Sequence, residues 1–390
     1  AYEIYQCDWS SDVCSSDLAN LSLSGKLGET PLRLDSGAVG FAWPGTLTAK
    51  GVNVALGPED TAARFKLNDL VARLGKNFSG TFGGVEARLA AVPLDVTDAS
   101  GEWRYADGAL VLSNASYDLT DRTPVPRFEK LLGRNATLAL ADNRIVAETP
   151  LIAPKTGQEV ARATIRHDLG NGTGHADLAV GGLTFTDTKG DTGLQPADLT
   201  RLALGVVANV AGTVKGTGRI DWNERGVTST GTFGTDKMDL AAAFGPVKGL
   251  AGALHFTDLL GLETAPHQQL TVASINPGIE VTDGKVDLQM LAGQVLRLNS
   301  AQWPFLGGTL ALEPTELHLG LAEARHYTLT IVGLDAARFL ERMDLSNLSA
   351  TGIFDGQLPL VFDANGGRIE GGNLVSRPRS EEHTSELQSH

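Results

Sequence analysis

The residues that could do chemistry are few and widely scattered. HDLGNGTGH (167–175) is the best metal-binding pattern: His167, Asp168 and His175, with Asp177 beyond, could converge across a hairpin. Nothing nearby completes a closed ligand set, so solvated residues flanking a Gly-rich turn are the expectation. DANGGRIE (363–370) begins like a calcium loop with Asp363, Asn365 and Gly367, but the twelfth position is Leu374 where that loop needs Glu. A tight turn is expected there. Cys7 and Cys14 are spaced too widely for a zinc knuckle or a redox pair, and no second Cys or His pair follows to complete a tetrahedral site. No Walker phosphate loop, Gly-x-Ser-x-Gly elbow or His-Glu-x-x-His helix occurs, and no two acids stand out as general acid and base. The residues therefore predict a protein that is not an enzyme, with no catalytic residues, no metal and no cofactor.

Both ends of the chain differ from its middle. Residues 1–18 and 379–390 are rich in Ser, Asp and Glu without apolar periodicity, and they resemble translated sequencing-adapter DNA. They are expected to be foreign to the fold, taking Cys7 and Cys14 with them and leaving 19–378 as a fragment cut at both ends. With 32 basic and 46 acidic residues the net charge is −14. An acidic chain without a basic stripe is not built for nucleic acid. No run approaches the roughly 18 consecutive apolar residues of a membrane span.

The middle reads as strand after strand. Gly accounts for 46 of 390 residues, against a usual share of about 7%, and it punctuates short segments in which apolar and polar residues alternate. That is the period of a half-buried strand. Such segments are 45–56, 108–119, 133–148, 284–291, 308–321 and 326–334. Asp107-Gly108, Asp283-Gly284 and Asn365-Gly366 are expected at hairpin turns. Helices are expected at 198–212, with Asp198 as N-cap, within 58–75, and at 334–343. Trp43, Trp103, Trp222 and Trp303 read as core or strand-end residues. The Pro-, Gly- and Asp-rich loops near 121–127 and 187–197 are candidate boundaries, and a cut near 196 divides the interpretable chain into 19–195 and 196–378.

Several ordered runs carry a family resemblance. DLAAAFGPVKGL (239–250), FTDLLGLET (256–264), INPGIEVTDG (275–284), WPFLGGTL (303–310), GLDAARFL (333–340) and ATGIFDGQLPLVFDANGGRIEGG (350–372) together resemble the YdbH family of AsmA-like intermembrane phospholipid transport proteins. The match is firm over about 200–378 and weaker upstream. The resemblance implies a mainly β fold: an elongated, twisted antiparallel sheet curled into an AsmA-like or TamB-like hydrophobic groove, with a few short amphipathic helices. It also implies a periplasmic protein of a Gram-negative envelope, anchored in the inner membrane by an N-terminal segment outside this sequence. Its expected partners are phospholipid acyl chains and an outer-membrane lipoprotein joining a sheet edge by strand addition.

At about 0.8 kcal/mol per methylene, a chain of about 16 carbons costs roughly 12 kcal/mol to expose to water. An apolar trough removes that barrier. Its candidate lining is one face of each late strand: Val286, Leu288 and Met290; Leu310 and Leu312; Leu317, Leu319 and Leu321; Tyr327, Leu329 and Ile331; Leu358, Leu360 and Phe362. On alternation alone the same faces could pack against a second sheet or the helices, as in a scaffolding protein of the envelope. Older labels of the family speak of dicarboxylate transport, but a chain without an Arg or Lys cluster is poorly equipped to hold a dianion.

Overall fold

A computed structural model describes residues 15–42, 45–59, 62–89, 92–187, 192–242, 245–276, 279–320, 323–345, 347–363 and 366–377. The described residues are 71% strand and 4% helix, in curled antiparallel sheet. It divides into two compact units, residues 1–201, 213–233 and 256–260 in the first, and 202–212, 234–255 and 261–390 in the second.

The first unit is a meander of eleven strands. These are β1 (Ser15–Leu27), β2 (Thr30–Ala42), β3 (Thr46–Leu56), β4 (Ala63–Arg73), β5 (Phe78–Arg88), β6 (Leu94–Ala106), β7 (Ala109–Asp121), β8 (Leu131–Ala141), β9 (Arg144–Ile152), β10 (Glu159–Asp168) and β11 (Thr173–Phe185). Each pairs antiparallel with the next. Asp107-Gly108 is the tight turn between β6 and β7, as its residue types predict. The segment 133–148 contains a hairpin that its alternation hid: Asp142 and Asn143, both with positive φ, join β8 to β9.

This sheet rolls back on itself. The Gly28 amide donates to the Tyr105 hydroxyl at 3.2 Å, and the Asn143 amide to Thr30 Oγ1 at 3.1 Å, so the β1–β2 turn meets turns several strands away. Leu140, Leu169 and Val52 are fully buried where the rolled face packs on itself. A band of left-handed residues inside the strands, Asn20, Gly51, Gly84, Asp98, Asn114 and Asn135, accounts for the bend. A positive φ in mid-strand kinks the ladder and increases its twist.

Strands β12 (Ala208–Asn223), β13 (Gly226–Ala242) and β14 (Gly245–Asp258) contribute residues to both units. The second unit continues with β15 (Glu263–Thr264), β16 (Gln268–Ile275), β17 (Val281–Leu291), β18 (Val295–Phe305), β19 (Gly308–Leu312), β20 (Thr315–His318), β21 (Arg325–Asp335), β22 (Ile353–Asp363), β23 (Gly366–Ile369) and β24 (Asn373–Ser376). Its ladder runs β14–β16–β17–β18, then through the split pair β19 and β20 to β21, β22 and the split edge of β23 and β24. Pro314 sits at the break that divides 308–321 into β19 and β20, since proline cannot donate to a ladder.

Three expectations need correction. Residues 198–212 form no long helix: α1 (Pro196–Leu199) and a 3-10 turn (Arg201–Ala203) are followed by strand from Ala208. Gly205 takes a left-handed φ of 68°, and the Val-rich run beyond it is β-branched and enters the sheet. Asp198 is not the N-cap; Gln195 is, and its amide donates to the Asp198 carboxylate at 2.8 Å. The segment 58–75 holds strand β4 rather than a helix. Buried Leu67 is followed by half-buried Leu70, a step of three that imitates a helix, because β3 and β4 change phase together around left-handed Gly51. Third, Asp283-Gly284 is no hairpin turn but lies inside β17, with Asp283 at φ 62°. The helix expected at 334–343 is present as α2 (Ala336–Arg342), capped by Asp335, whose carboxylate accepts from the Ala337 and Arg338 amides. Asn365, Trp43, Cys7 and Cys14 lie outside the described residues.

Candidate functional site

The second unit's strands bring their apolar alternates into register. Val286 faces Ala301, Leu288 faces Leu298 and Met290 faces Leu296 across β17 and β18. Leu310 lies between Trp303 and Ile331, Leu312 between Ala301 and Leu329, and Leu317 opposite Leu296. On the far side Tyr327 pairs with Leu360, Leu329 with Leu358, and Phe362 with Arg325. In an antiparallel sheet directly opposed residues share a face. Val286, Leu310, Leu312, Leu317, Tyr327, Leu329, Ile331, Leu358, Leu360 and Phe362 accordingly belong to one apolar cluster. Leu288 and Met290 join the face by register, while Leu319 lies beyond the end of β20 with its amide bonded to the Gln294 carbonyl. Leu321 lies outside the described residues.

The sequence reading missed half of this face. Val247, Leu250, Val272 and Ile275 extend it across β14 and β16, and Leu296, Leu298 and Trp303 supply its centre on β18. The alternation in QLTVASI (269–275) carried the signal. Its phase slips between Val272 and Ile275, which disguised it.

Among the described residues all the strands belong to one hydrogen-bonded sheet. Yet Trp303 is 4% exposed and Val272 4%. One short helix covers part of it through Phe339 on α2; curvature of the sheet itself must shield the rest. Glycine makes that curvature possible. A Cβ on Gly284 would stand 2.1 Å from the Trp303 ring nitrogen, so the indole lies against bare backbone. Tyr117 lies in the same way over Gly133, and Phe362 over Gly367. Trp103 and Trp222 donate their ring N–H to the Val71 carbonyl and to His167, whereas buried Trp303 has no acceptor among the described residues.

Polar residues take the back of the sheet. Asp287, between Val286 and Leu288 and so on the opposite face, accepts from Asn299, His267 and Gln269 at 2.7–2.9 Å. Burial pushes its carboxyl up, but these bonds and the His267 charge hold it below the usual carboxylate range.

The histidine loop is occupied by structural contacts. His167 Nδ1 lies 3.1 Å from the Trp222 ring nitrogen and 3.0 Å from the Thr173 carbonyl, and burial lowers its pKa, favouring the neutral ring. The Asp168 carboxylate accepts from the Gly170 amide within the turn, and His175 lies by Asp177, which pairs with Arg219. Asp363 of the calcium-like run pairs with Arg368. No group of three or more His, Cys, Asp or Glu is placed to hold a metal among the described residues, and none of their helices is long and apolar enough to cross a membrane.

Among the described residues the most buried ion pair is in the first unit. Asp121 accepts from the Thr123 amide, from the Arg127 amide and from the Arg127 guanidinium, whose remaining arm donates to the Leu260 carbonyl at 3.1 Å. With its side chain fully buried, Asp121 is pushed up by burial yet held below the usual range by these bonds.

Comparison with known proteins gives one match. Residues 8–380 fit a family model described as "YdbH-like: Intermembrane phospholipid transport protein YdbH". The match starts within the stretch expected to be foreign to the fold, as does β1 at Ser15. No curated protein and no solved structure matches the chain.

Proposed function

Since the chain belongs to the YdbH-like family of intermembrane phospholipid transport proteins, we propose that it carries phospholipid between the inner and outer membranes by sliding acyl chains along the apolar face of its sheet. The carrying observation is the register itself: an apolar cluster that runs from Leu240 on β13 to Phe362 on β22, in strands that all belong to one hydrogen-bonded sheet among the described residues. The residues lining the trough are those brought together above, with Leu329, Leu358 and Trp303 near its centre. Transport needs no chemical step, because moving an acyl chain between two apolar surroundings is nearly neutral while exposing it to water is not.

The protein works in the periplasm, held to the inner membrane by a segment outside this sequence. The strands β23 and β24 carry exposed apolar residues that suit a second contact. Ile369, Leu374 and Val375 are 60%, 52% and 61% exposed, and Ile369 continues the trough face opposite Leu360. A strand of an outer-membrane lipoprotein paired there would cover these residues and extend the trough. A scaffolding role predicts no cargo at all.

Transfer of a fluorescent phospholipid between donor and acceptor vesicles by purified protein tests the reading. Acceleration that is abolished by L329E, in a variant that stays folded by circular dichroism, is expected. A wild-type protein that leaves the transfer rate unchanged contradicts it.

A further inference from the structure

One buried cation on the trough face has no counter-charge among the described residues. Arg325 opens β21 and is 8% exposed, so it is more than nine-tenths buried. It lies opposite Phe362 and begins the row Arg325, Tyr327, Leu329, Ile331, whose other members all belong to the apolar cluster. Its Nη1 donates to the Gly205 carbonyl, and its charge and a hydrogen bond act on the buried Tyr327 hydroxyl. The other buried charge among the described residues, Asp121, has its opposite in Arg127. Arg325 forms no ion pair among the described residues.

A guanidinium has five donors in a planar fork. One carbonyl and one hydroxyl leave several of them unused, and a buried charge left unpaired is costly. The geometry of the fork matches a phosphate, which it binds through two parallel bonds.

We propose that Arg325, assisted by the Tyr327 hydroxyl, binds the phosphate of a glycerophospholipid while its acyl chain lies along Tyr327, Leu329 and Ile331. The proposal rests on the conduit reading and adds a head-group station to it. Dimensions agree. The six steps from Arg325 to Ile331 span about 20 Å at about 3.3 Å each, and one leaflet's share of a bilayer core is about 15 Å. A phosphate is common to all glycerophospholipids, so the station distinguishes them from neutral lipid and not from one another.

The test compares phosphatidic acid with diacylglycerol of the same chains, both fluorescent, binding to the purified full chain. Wild type is expected to prefer phosphatidic acid by tenfold or more. R325Q is expected to remove that preference while leaving diacylglycerol binding unchanged, and R325K to keep part of it. R325Q that retains the preference overturns the proposal. So does R325Q that weakens both lipids alike with a lowered Tm, which makes Arg325 only a tie to Gly205. If R325Q fails to fold, Y327F carries the test: phosphatidic acid binding is expected to fall about threefold, and an unchanged preference overturns the proposal. Inorganic phosphate is the third arm. Stabilisation by phosphate that R325Q abolishes, without a preference between lipids, assigns the site to a soluble anion and overturns the head-group station. Equal binding of both lipids by wild type refutes the station alone, whereas binding of neither refutes the conduit itself.

Discussion

Asp121 and Gly284 show two ways in which single residues hold these sheets. Asp121 has a depressed pKa in the folded protein, so its bonds to Arg127 stabilise the fold fully above the unfolded value near 3.9. That contribution is lost as the pH falls through the lower, folded value. D121N is expected to cost about 3 kcal/mol at pH 7, because it leaves a buried guanidinium short of its partner. Urea unfolding at pH 7 and pH 3 should show the mutant and wild type converging at the acid end. Gly284 acts by having no side chain. G284A must displace the Trp303 indole and is expected to cost about 1–3 kcal/mol, whereas G181A, where a Cβ meets nothing within 4 Å, should be close to neutral. Equal midpoints for the two glycine variants would contradict the account of how the indole packs.

At the scale of strands, much of the sheet is set by residues that ordinarily end strands. Asp98 sits in mid-β6 with φ 52°, a conformation that costs about 1–2 kcal/mol for a residue with a Cβ and more for a β-branched one. D98V is therefore expected to destabilise by about 1–2 kcal/mol although Val is the better strand former, and D98G to be nearly neutral. Thermal melts of both variants check this; a more stable D98V would remove the left-handed band as the cause of the roll.

The same residues explain what could be read from sequence. Alternation and glycine spacing gave several strands to within a few residues, as at 45–56 and 326–334. Asp283-Gly284 was misread because its dipeptide is a turn signal out of context, and β4 because a phase slip between Leu67 and Leu70 imitates a helix. The apolar face followed the same pattern: Tyr327, Leu329 and Ile331 were visible by simple alternation, whereas Trp303 and Arg325 gain their meaning only from neighbours distant in sequence, Gly284 and Gly205. Periodicity along one strand cannot carry that information.

At the scale of the molecule, the account holds that one face of the second unit is a lipid path and the other is solvated. Photocross-linking in living cells separates the two faces most directly. A photoreactive amino acid at Leu329, in the apolar cluster, is expected to yield a phospholipid adduct, identified by mass spectrometry of the purified protein. The same probe at Val332, which is 44% exposed and lies outside that cluster, is expected to yield none. Absence of adduct at Leu329, or equal labelling from both positions, would contradict the account.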